Sequence, residues 1–404
     1  MKHKKFIFDV QKNELTSLGF LETHKLTLYI VIITLLALYI RWNIAGFISG
    51  DTVKYFIPWL EHLDQNGGIF GIPTLDSDYP VAYQYLLSFL TTLPLSSLSR
   101  IKMMGLFFDL GNALVVMAIL RNLGEYNRAD AVPWIGYALA LFIPPVVFNT
   151  AFWGQCDNIY TFFILLSIFS LLTRRYPLAF LAFGFSISFK LQAIFFLPFL
   201  IFFYLKSKRI SLVNFILVPM VYSALYIPAL LVGKPLSQFL QAYGMQVNEY
   251  SRMTLGLANF WVLFPDDFPQ LQTPALILTA ALMLSLMFYL WQQESFHLTP
   301  KQYVPLVMLT IMLVAYFLPA MHERYMFPVD VLAVIYLLIF PKRWYLPIGI
   351  WLINLNGYLP VLWQFEPALS PPLLSLVYLA LMVVLLDDLL NEPKPGIKTS
   401  TLTF

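Results

Sequence analysis

The chain has 404 residues, of which 59% are hydrophobic and 12% charged, with mean hydropathy +0.72; a soluble domain carries roughly twice that charged share. The formal net charge of +3 says little about nucleic acid, because the lysines and arginines sit in short stretches between apolar runs, and no nucleic-acid partner is expected. A lone cysteine, Cys156, excludes an internal disulfide and a cysteine-rich metal site.

Apolar runs of about 20 residues recur along the chain, each long enough to cross a bilayer core. Lipid cannot satisfy loose backbone groups, so the fold class expected is an all-α polytopic membrane protein. Residues 1–25 carry Lys2, Lys4, Lys5, Lys12 and Lys25 and read as a cytoplasmic tail rather than a cleaved leader. The first span, Leu26 to Phe47, then exits to the outer face at Gly50-Asp51. In the loop that follows, Tyr55, Phe56, Trp59 and Leu60 alternate with Glu61 and Asp64, as in a helix lying at the interface. The loop ends in Asp76-Ser77-Asp78-Tyr79-Pro80.

Val81–Leu98 is apolar but holds Pro94 and several hydroxyl residues. If it does not cross, 17 of the 25 basic residues fall on the inner face and 8 on the outer; if it crosses, the division is 11 against 14. The positive-inside bias favours the first arrangement, with Val81–Leu98 as a juxtamembrane or re-entrant helix of the first outer loop. Further spans are expected near 103–120, 132–150, 158–173, 176–189, 191–205, 211–232, 273–293, 302–320, 325–340, 344–362 and 369–387. With the first, that makes about 12, a single transmembrane domain over 26–388 and a cytoplasmic tail over 389–404. The 30 residues from Tyr176 to Leu205 are short for two crossings, which points to a pair of shortened helices meeting at Lys190. The longest outer loop, 233–272, carries Tyr243, Tyr250, Trp261, Phe264 and Phe268 and is expected to be structured at the membrane surface.

This topology gathers a small polar set on one face: Asp51, Asp76 and Asp78; Gln155, Asp157 and Asn158; Lys190 and Gln192; and His322, Glu323, Arg324 and Tyr325. Ionisable groups at membrane depth are costly and mark function. Asp51 could act as a general base toward a hydroxyl. Lys190, His322 and Arg324 could hold a phosphate, the arginine in bidentate fashion. Each also has a plainer reading. Asp51 could be a solvated loop residue, His322-Glu323-Arg324 an ion-pair cluster, and Lys190 a snorkelling lysine. Glu61 and Asp64 read as the wet face of the interfacial helix, and His62 and His297 as loop residues. Asp109 reads as a buried hydrogen-bond partner, with a proton relay as the alternative.

At Gly50-Asp51, Asp78-Tyr79-Pro80, Trp153-Gly154-Gln155-Cys156-Asp157, Phe189-Lys190-Leu191-Gln192 and His322-Glu323-Arg324-Tyr325 the sequence resembles the GT-C superfamily of membrane glycosyltransferases. It is most similar to bacterial proteins akin to the second GPI mannosyltransferase. It is also similar to the ER glucosyltransferases that extend the lipid-linked oligosaccharide. The resemblance covers about residues 27–340. It implies a polyprenyl-phosphate sugar donor, a glycan or glycolipid hydroxyl as acceptor outside the cytoplasm, a cell-membrane location, and inversion at the anomeric carbon. It implies Asp51 as general base, the His322–Arg324 region at the donor phosphate, and Asp78 and Asp157 at the sugar and acceptor. Tyr79, Gln155, Gln192 and Glu323 are grouped with that second set. Some members of the superfamily use a divalent metal, which Asp51, Asp78 and Asp157 could hold here; the similar proteins nearest this pattern are metal-independent, so neither metal nor cofactor is expected. The ER enzymes have Asp-Tyr-Pro-Pro where Val81 follows Pro80 here, which implies a different loop and acceptor. The competing function is a transporter or flippase of a lipid-linked sugar or small anion, for which an inverted repeat and midplane polar groups are expected. A third is a non-catalytic partner in a cell-envelope assembly.

Overall fold

The computed structural model describes residues 24–124, 126, 130–293 and 296–391. The tails expected over 1–25 and 389–404 lie almost wholly outside the described residues.

Helix α1 (His24–Ile44) is an apolar rod that leaves Ile32, Leu35 and Leu36 exposed, as lipid-facing side chains require. The backbone then winds one wide turn over Thr52–Phe56 into α2 (Ile57–Gln65). Its Trp59, Leu60 and Leu63 are buried, while Glu61 and Asp64 are exposed as expected of the wet face, Asp64 pairing there with Arg100 Nη1 at 2.5 Å. His62 belongs to this helix rather than to a loop, and its Nε2 meets the Gly71 carbonyl and Thr74 Oγ1. Helix α3 (Val81–Leu90) has 10 residues, roughly 15 Å, half of a bilayer core. The remainder of the predicted 81–98 stretch turns back, and α4 (Ser97–Gly124) starts earlier than expected.

Helix α5 (Ala131–Phe142) and α6 (Pro144–Val147) meet at a 46° bend. Pro144 and Pro145 lack the N–H groups that would continue the ladder, and Ile143 is extended. A wide turn, Phe148–Trp153, follows, and Gly154 closes it at φ +88°. A Cβ at Gly154 would lie 3.1 Å from Thr52 Oγ1, so the first loop packs directly on this turn. Then come α7 (Asp157–Leu172), α8 (Tyr176–Phe189), α9 (Leu197–Ser207) and α10 (Leu217–Leu231). Lys190 sits in the break after α8, extended at φ −155° and ψ 137°, where the shortened pair was expected to meet.

The long segment after α10 contains α11 (Gln241–Asn248) and β1 (Thr254–Leu255). It leads into α12 (Phe268–Gln292), α13 (Pro300–Phe317), β2 (Met321–His322), α14 (Phe327–Ile339), α15 (Tyr345–Trp363) and α16 (Pro371–Leu390). Strands β1 and β2 pair in parallel, Thr254 with Met321 and Leu255 with His322. The 233–272 segment therefore docks on the His322 loop, where the sequence pointed to the membrane surface; Trp261 Nε1 also donates to the Phe317 carbonyl at 2.7 Å.

The chain is all-α and polytopic. Among the described residues seven helices are long and apolar enough to cross a bilayer, or eight if the bent α5–α6 pair is one span. Helices α7, α8 and α14 and the 191–207 stretch are apolar but shorter. All twelve predicted spans fall on helices, and α3 is the apolar segment that was excluded from them.

One buried ion pair ties the first span to the centre. Arg41 donates through Nε and Nη2 to Asp109 Oδ2 at 3.1 and 2.9 Å, and Asp109 also accepts from Thr150 Oγ1 and Asn158 Nδ2. These contacts account for Asp109 as a structural residue. Asp109→Ala strands a buried guanidinium, and we expect a loss of about 3–5 kcal/mol of stability. The combined Arg41→Met, Asp109→Leu variant is expected to melt well above the single mutant. Thermal unfolding of the purified proteins in detergent checks both.

Candidate functional site

Three chain segments converge at one end of the bundle. The first is the loop after α1. Ser49 Oγ and Thr52 Oγ1 donate to the Trp153 carbonyl at 2.8 and 3.1 Å, which clamps Gly50-Asp51 against the turn before α7. Because Gly154 reverses the chain there, Trp153 and Gln155 both aim at the same carboxylate. Trp153 Nε1 and Gln155 Nε2 donate to Asp51 Oδ2 at 3.1 and 2.5 Å. Every described contact of that carboxylate falls on Oδ2, and its side chain is 29% exposed.

The second segment is the start of α7 with the α8 break. Asp157 is fully buried. Its Oδ1 pairs with Lys190 Nζ at 2.5 Å, and its Oδ2 accepts from Asn149 Nδ2 at 3.1 Å. The extended backbone at Lys190 lets the side chain turn inward, where its ammonium lies 5.8 Å from the ring centroids of Tyr79 and Tyr325.

The third is the His322 loop. Arg324 Nη1 donates to Glu323 Oε1 at 2.9 Å, Nη2 lies 3.8 Å from Asp51 Oδ2, and Nε lies 4.0 Å from Asp157 Oδ2. Its guanidinium also stands 5.1 Å from the Trp153 ring, within cation–π range. Burial opposes the arginine's charge, but Glu323, Asp51 and Asp157 outweigh it and raise its pKa further. Burial would likewise push Glu323 up, yet its hydrogen bond with His322 and the Arg324 charge hold it below the usual carboxylate range. Burial and Arg324 lower His322, so its imidazole is neutral at neutral pH. Gly256 fits closely beside this cluster, since a Cβ there would approach Glu323 Oε2 to 2.7 Å at a φ of +98°.

A pocket of about 70 Å³ lies between the segments, lined by Asp51, Asp78, Tyr79, Gln155, Lys190, Gln192, His322, Arg324 and Tyr325. Asp157 and Glu323, expected at the sugar and acceptor, are not among its lining residues; they lie behind Lys190 and Arg324 and neutralise them. Among the described residues, four lining residues carry buried polar atoms with no hydrogen-bond partner: Gln155 Oε1, Gln192 Oε1, His322 Nε2 and Arg324 Nε. Asp76, grouped with the polar set in the sequence, lies outside this pocket.

Sequence reasoning missed three contributors. Glu249 and Trp59 line the pocket, and Asn149 buttresses Asp157. Glu249 sits in a polar stretch with nothing in the sequence to direct it inward, and Asn149 lies within an apolar run. Trp153 was visible in the Trp-Gly-Gln-Cys-Asp motif, though not as a donor to Asp51. Among the described residues no group of three or more His, Cys, Asp or Glu side chains could hold a metal ion.

Compared with known proteins, residues 79–341 match the family described as Glycosyltransferase family 87, a match over more than half of the chain. No curated protein matches it.

Asp78 generates the prediction for this site. Burial, and then the Glu249 charge, push its pKa to about 6 from an ordinary value of 3.8. The folded chain thus binds this proton more tightly than the unfolded chain, so the group's contribution to stability falls as pH rises through that interval and the loss is complete above it. Asp78→Asn removes the penalty. We expect the variant to melt above the wild type at pH 8, and that advantage to vanish at pH 4, with melting in detergent at both pH values as the check.

Proposed function

Since the chain belongs to glycosyltransferase family 87, we propose that it moves a hexose, mannose or glucose, with inversion from a polyprenyl-phosphate carrier to a hydroxyl of an extracytoplasmic glycan or glycolipid. The observation that carries this reading is the set of four unpartnered buried polar atoms around one partly exposed carboxylate. A buried donor or acceptor left without a partner costs about 1–3 kcal/mol. The hydroxyls of a sugar and the oxygens of a phosphate would complete Gln155, Gln192, His322 and Arg324 together.

Asp51 is the general base in this mechanism. Trp153 and Gln155 fix its Oδ2, which leaves Oδ1 to take the proton of the acceptor hydroxyl. The acceptor oxygen attacks the anomeric carbon from the face opposite the phosphate. The bond from that carbon to the phosphate oxygen breaks, and the electron pair leaves with the lipid phosphate. The proton ends on Asp51. Burial and Arg324 lower the His322 pKa, and with Nδ1 turned to the Glu323 carboxylate the neutral ring presents Nε2 as an acceptor for a sugar hydroxyl rather than as a charge. Lys190 and Arg324 bring positive charge to the leaving oxygen, held in place by Asp157 and Glu323. Asp78 and Tyr79 wall the pocket beside Gln192 and are the contacts proposed for the sugar and acceptor. Asp157 and Glu323 act in this mechanism as positioning residues for the two cations. In this reading the protein is a multi-pass protein of the cell membrane whose active site faces away from the cytoplasm, as the basic-residue count favours, with both termini cytoplasmic. No metal or other cofactor enters the mechanism.

Asp51→Asn keeps the shape of the side chain and removes the base. We expect transfer to drop by roughly 100-fold or more, with the melting temperature within a few degrees of wild type. The assay is mass spectrometry of glycolipids extracted from membranes incubated with synthetic polyprenyl-phosphate mannose or glucose. Near-normal transfer by a folded Asn variant would remove Asp51 from the role of base.

A further inference from the structure

A polar pocket of about 400 Å³ lies at the opposite end of the bundle from the candidate site. Helix α7 has 16 residues; it starts at Asp157 beside the site and ends at Leu172 on the wall of this pocket, roughly 24 Å away. Helix α8 runs back from Tyr176 on the same wall to the break at Lys190. The end of α9 and the start of α13 close the other sides.

Its lining is cationic. Arg174, Lys206, Arg209 and His297 line it, and among the described residues no carboxylate does. Lys206 is committed to the end of α12, donating to the Trp291 and Gln293 carbonyls at 3.3 and 2.8 Å. Arg174 and Arg209 are exposed, and among the described residues neither guanidinium is held in an ion pair. The floor is aromatic, with the Phe203 ring 6.3 Å from that of Tyr176 and 5.1 Å from that of Tyr303.

Basic residues at the inner edge of a membrane and at helix C-termini are ordinary, so charge alone assigns nothing here. The backbone supplies an independent observation. Arg174 follows α7 at φ +59° and Lys208 follows α9 at φ +52°, in the left-handed conformation that helix ends usually give to glycine. They are two of the four non-glycine residues with positive φ among the described residues. A long cation kept where glycine would fit with less strain points to a use for the side chain. Together the two strained turns bring Arg174 and, one residue beyond Lys208, Arg209 to the same concave wall. Helices α8 and α9 also expose Leu178 and Leu205 within two residues of lining positions, which gives the cationic pocket an apolar flank.

We propose that this pocket binds the headgroup of an anionic membrane phospholipid, with Arg174 and Arg209 on its phosphodiester. A guanidinium presents paired donors that match phosphate oxygens. Lys206 adds charge from the side, and the exposed leucines offer a surface to the acyl chains. Basic pockets between helices on the cytoplasmic side take anionic lipid in this manner. The inference is independent of the transfer chemistry and takes from the proposed reading only the orientation, which puts the pocket in the inner leaflet. A lipid held there ties the α7–α8 turn to the ends of α9 and α13, and α7 and α8 carry Asp157 and Lys190 at their far ends.

The test is thermal unfolding of the full-length purified protein in a neutral detergent, titrated with phosphatidylglycerol, phosphatidylcholine or soluble glycerol phosphate. We expect phosphatidylglycerol alone to raise the melting temperature by several degrees. Arg174→Gly combined with Arg209→Gln is expected to shift that titration to about 10-fold higher lipid or more. Glycine suits the backbone at position 174, so Arg174→Gly alone is expected to fold as well as wild type and to weaken the response by itself. It decides the matter if the double variant does not fold. Lys342→Gln removes an exposed positive charge outside the pocket and is expected to respond as wild type does. Wild-type protein that does not respond to phosphatidylglycerol, or that responds equally to phosphatidylcholine or glycerol phosphate, would overturn the site. So would folded arginine variants that respond as wild type does, or a Lys342→Gln variant that loses the response to the same extent. Detergent offers no leaflets and the assay contains no transfer step, so its outcome is read separately from the proposed orientation and from the catalytic assignment.

Discussion

The site depends on one buried carboxylate. Asp157 opens α7 at full burial and is reached by Lys190 from the α8 break, by Asn149 from the turn before α7, and by Arg324 from the His322 loop. A bare carboxylate there would carry a heavy desolvation cost, and so would Lys190 or Arg324 alone. Together they leave little net charge in the interior, and each fixes the direction of the next. Arg324, placed by Asp157 and Glu323, extends its remaining arm to 3.8 Å from Asp51. The partly exposed carboxylate is thus oriented by a chain of charges that starts in the core.

Backbone features make that convergence possible in a helical bundle, whose side chains otherwise point sideways. Pro144 and Pro145 bend one span by 46°, the wide turn through Trp153 shifts its register, and Gly154 at φ +88° reverses it. The break at Lys190 turns a lysine inward where a continuous helix would carry it past. The short parallel pairing of 254–255 with 321–322 then lays the 233–272 segment over the His322 loop, bringing Tyr250 to 4.8 Å from the His322 ring. Each device interrupts a span at the same end of the molecule, where loosened carbonyls and N–H groups face polar side chains rather than lipid.

Much of this was legible because the chain is so apolar. In a sequence with 12% charged residues, a lysine between two phenylalanine-rich runs or an arginine in a four-residue polar island stands out. The apolar helices, the short broken stretch after Pro80 and the meeting point at Lys190 could be read from hydropathy and basic-residue placement. The division of labour within the polar set could not. Asp51, Asp157 and Glu323 look alike in sequence, yet the first lines a pocket and the other two are buried behind cations. That distinction arises from which face of a helix start or turn each occupies, and a one-residue shift would exchange the roles. His62 was misread for a related reason. It lies within α2 and its ring turns onto the Gly71–Thr74 turn, while Asp64 on the same helix stays exposed beside Arg100. Glu249 had no local signal, because only the strand pairing some five residues later brings it to the site.

Charge balance sets the terms inside this pocket. Asp51, Asp78 and Glu249 line it together with Lys190 and Arg324, and Asp157 and Glu323 orient those two cations from behind. Burial, and then the Glu249 charge, push the Asp78 pKa to about 6, so of these carboxylates Asp78 gives up its charge readily when another anion approaches. The proposed base is a different carboxylate, Asp51, whose Oδ2 is fixed by Trp153 and Gln155. Separating the group that yields its charge from the group proposed to take a proton lets one small pocket meet an anion without giving up its base.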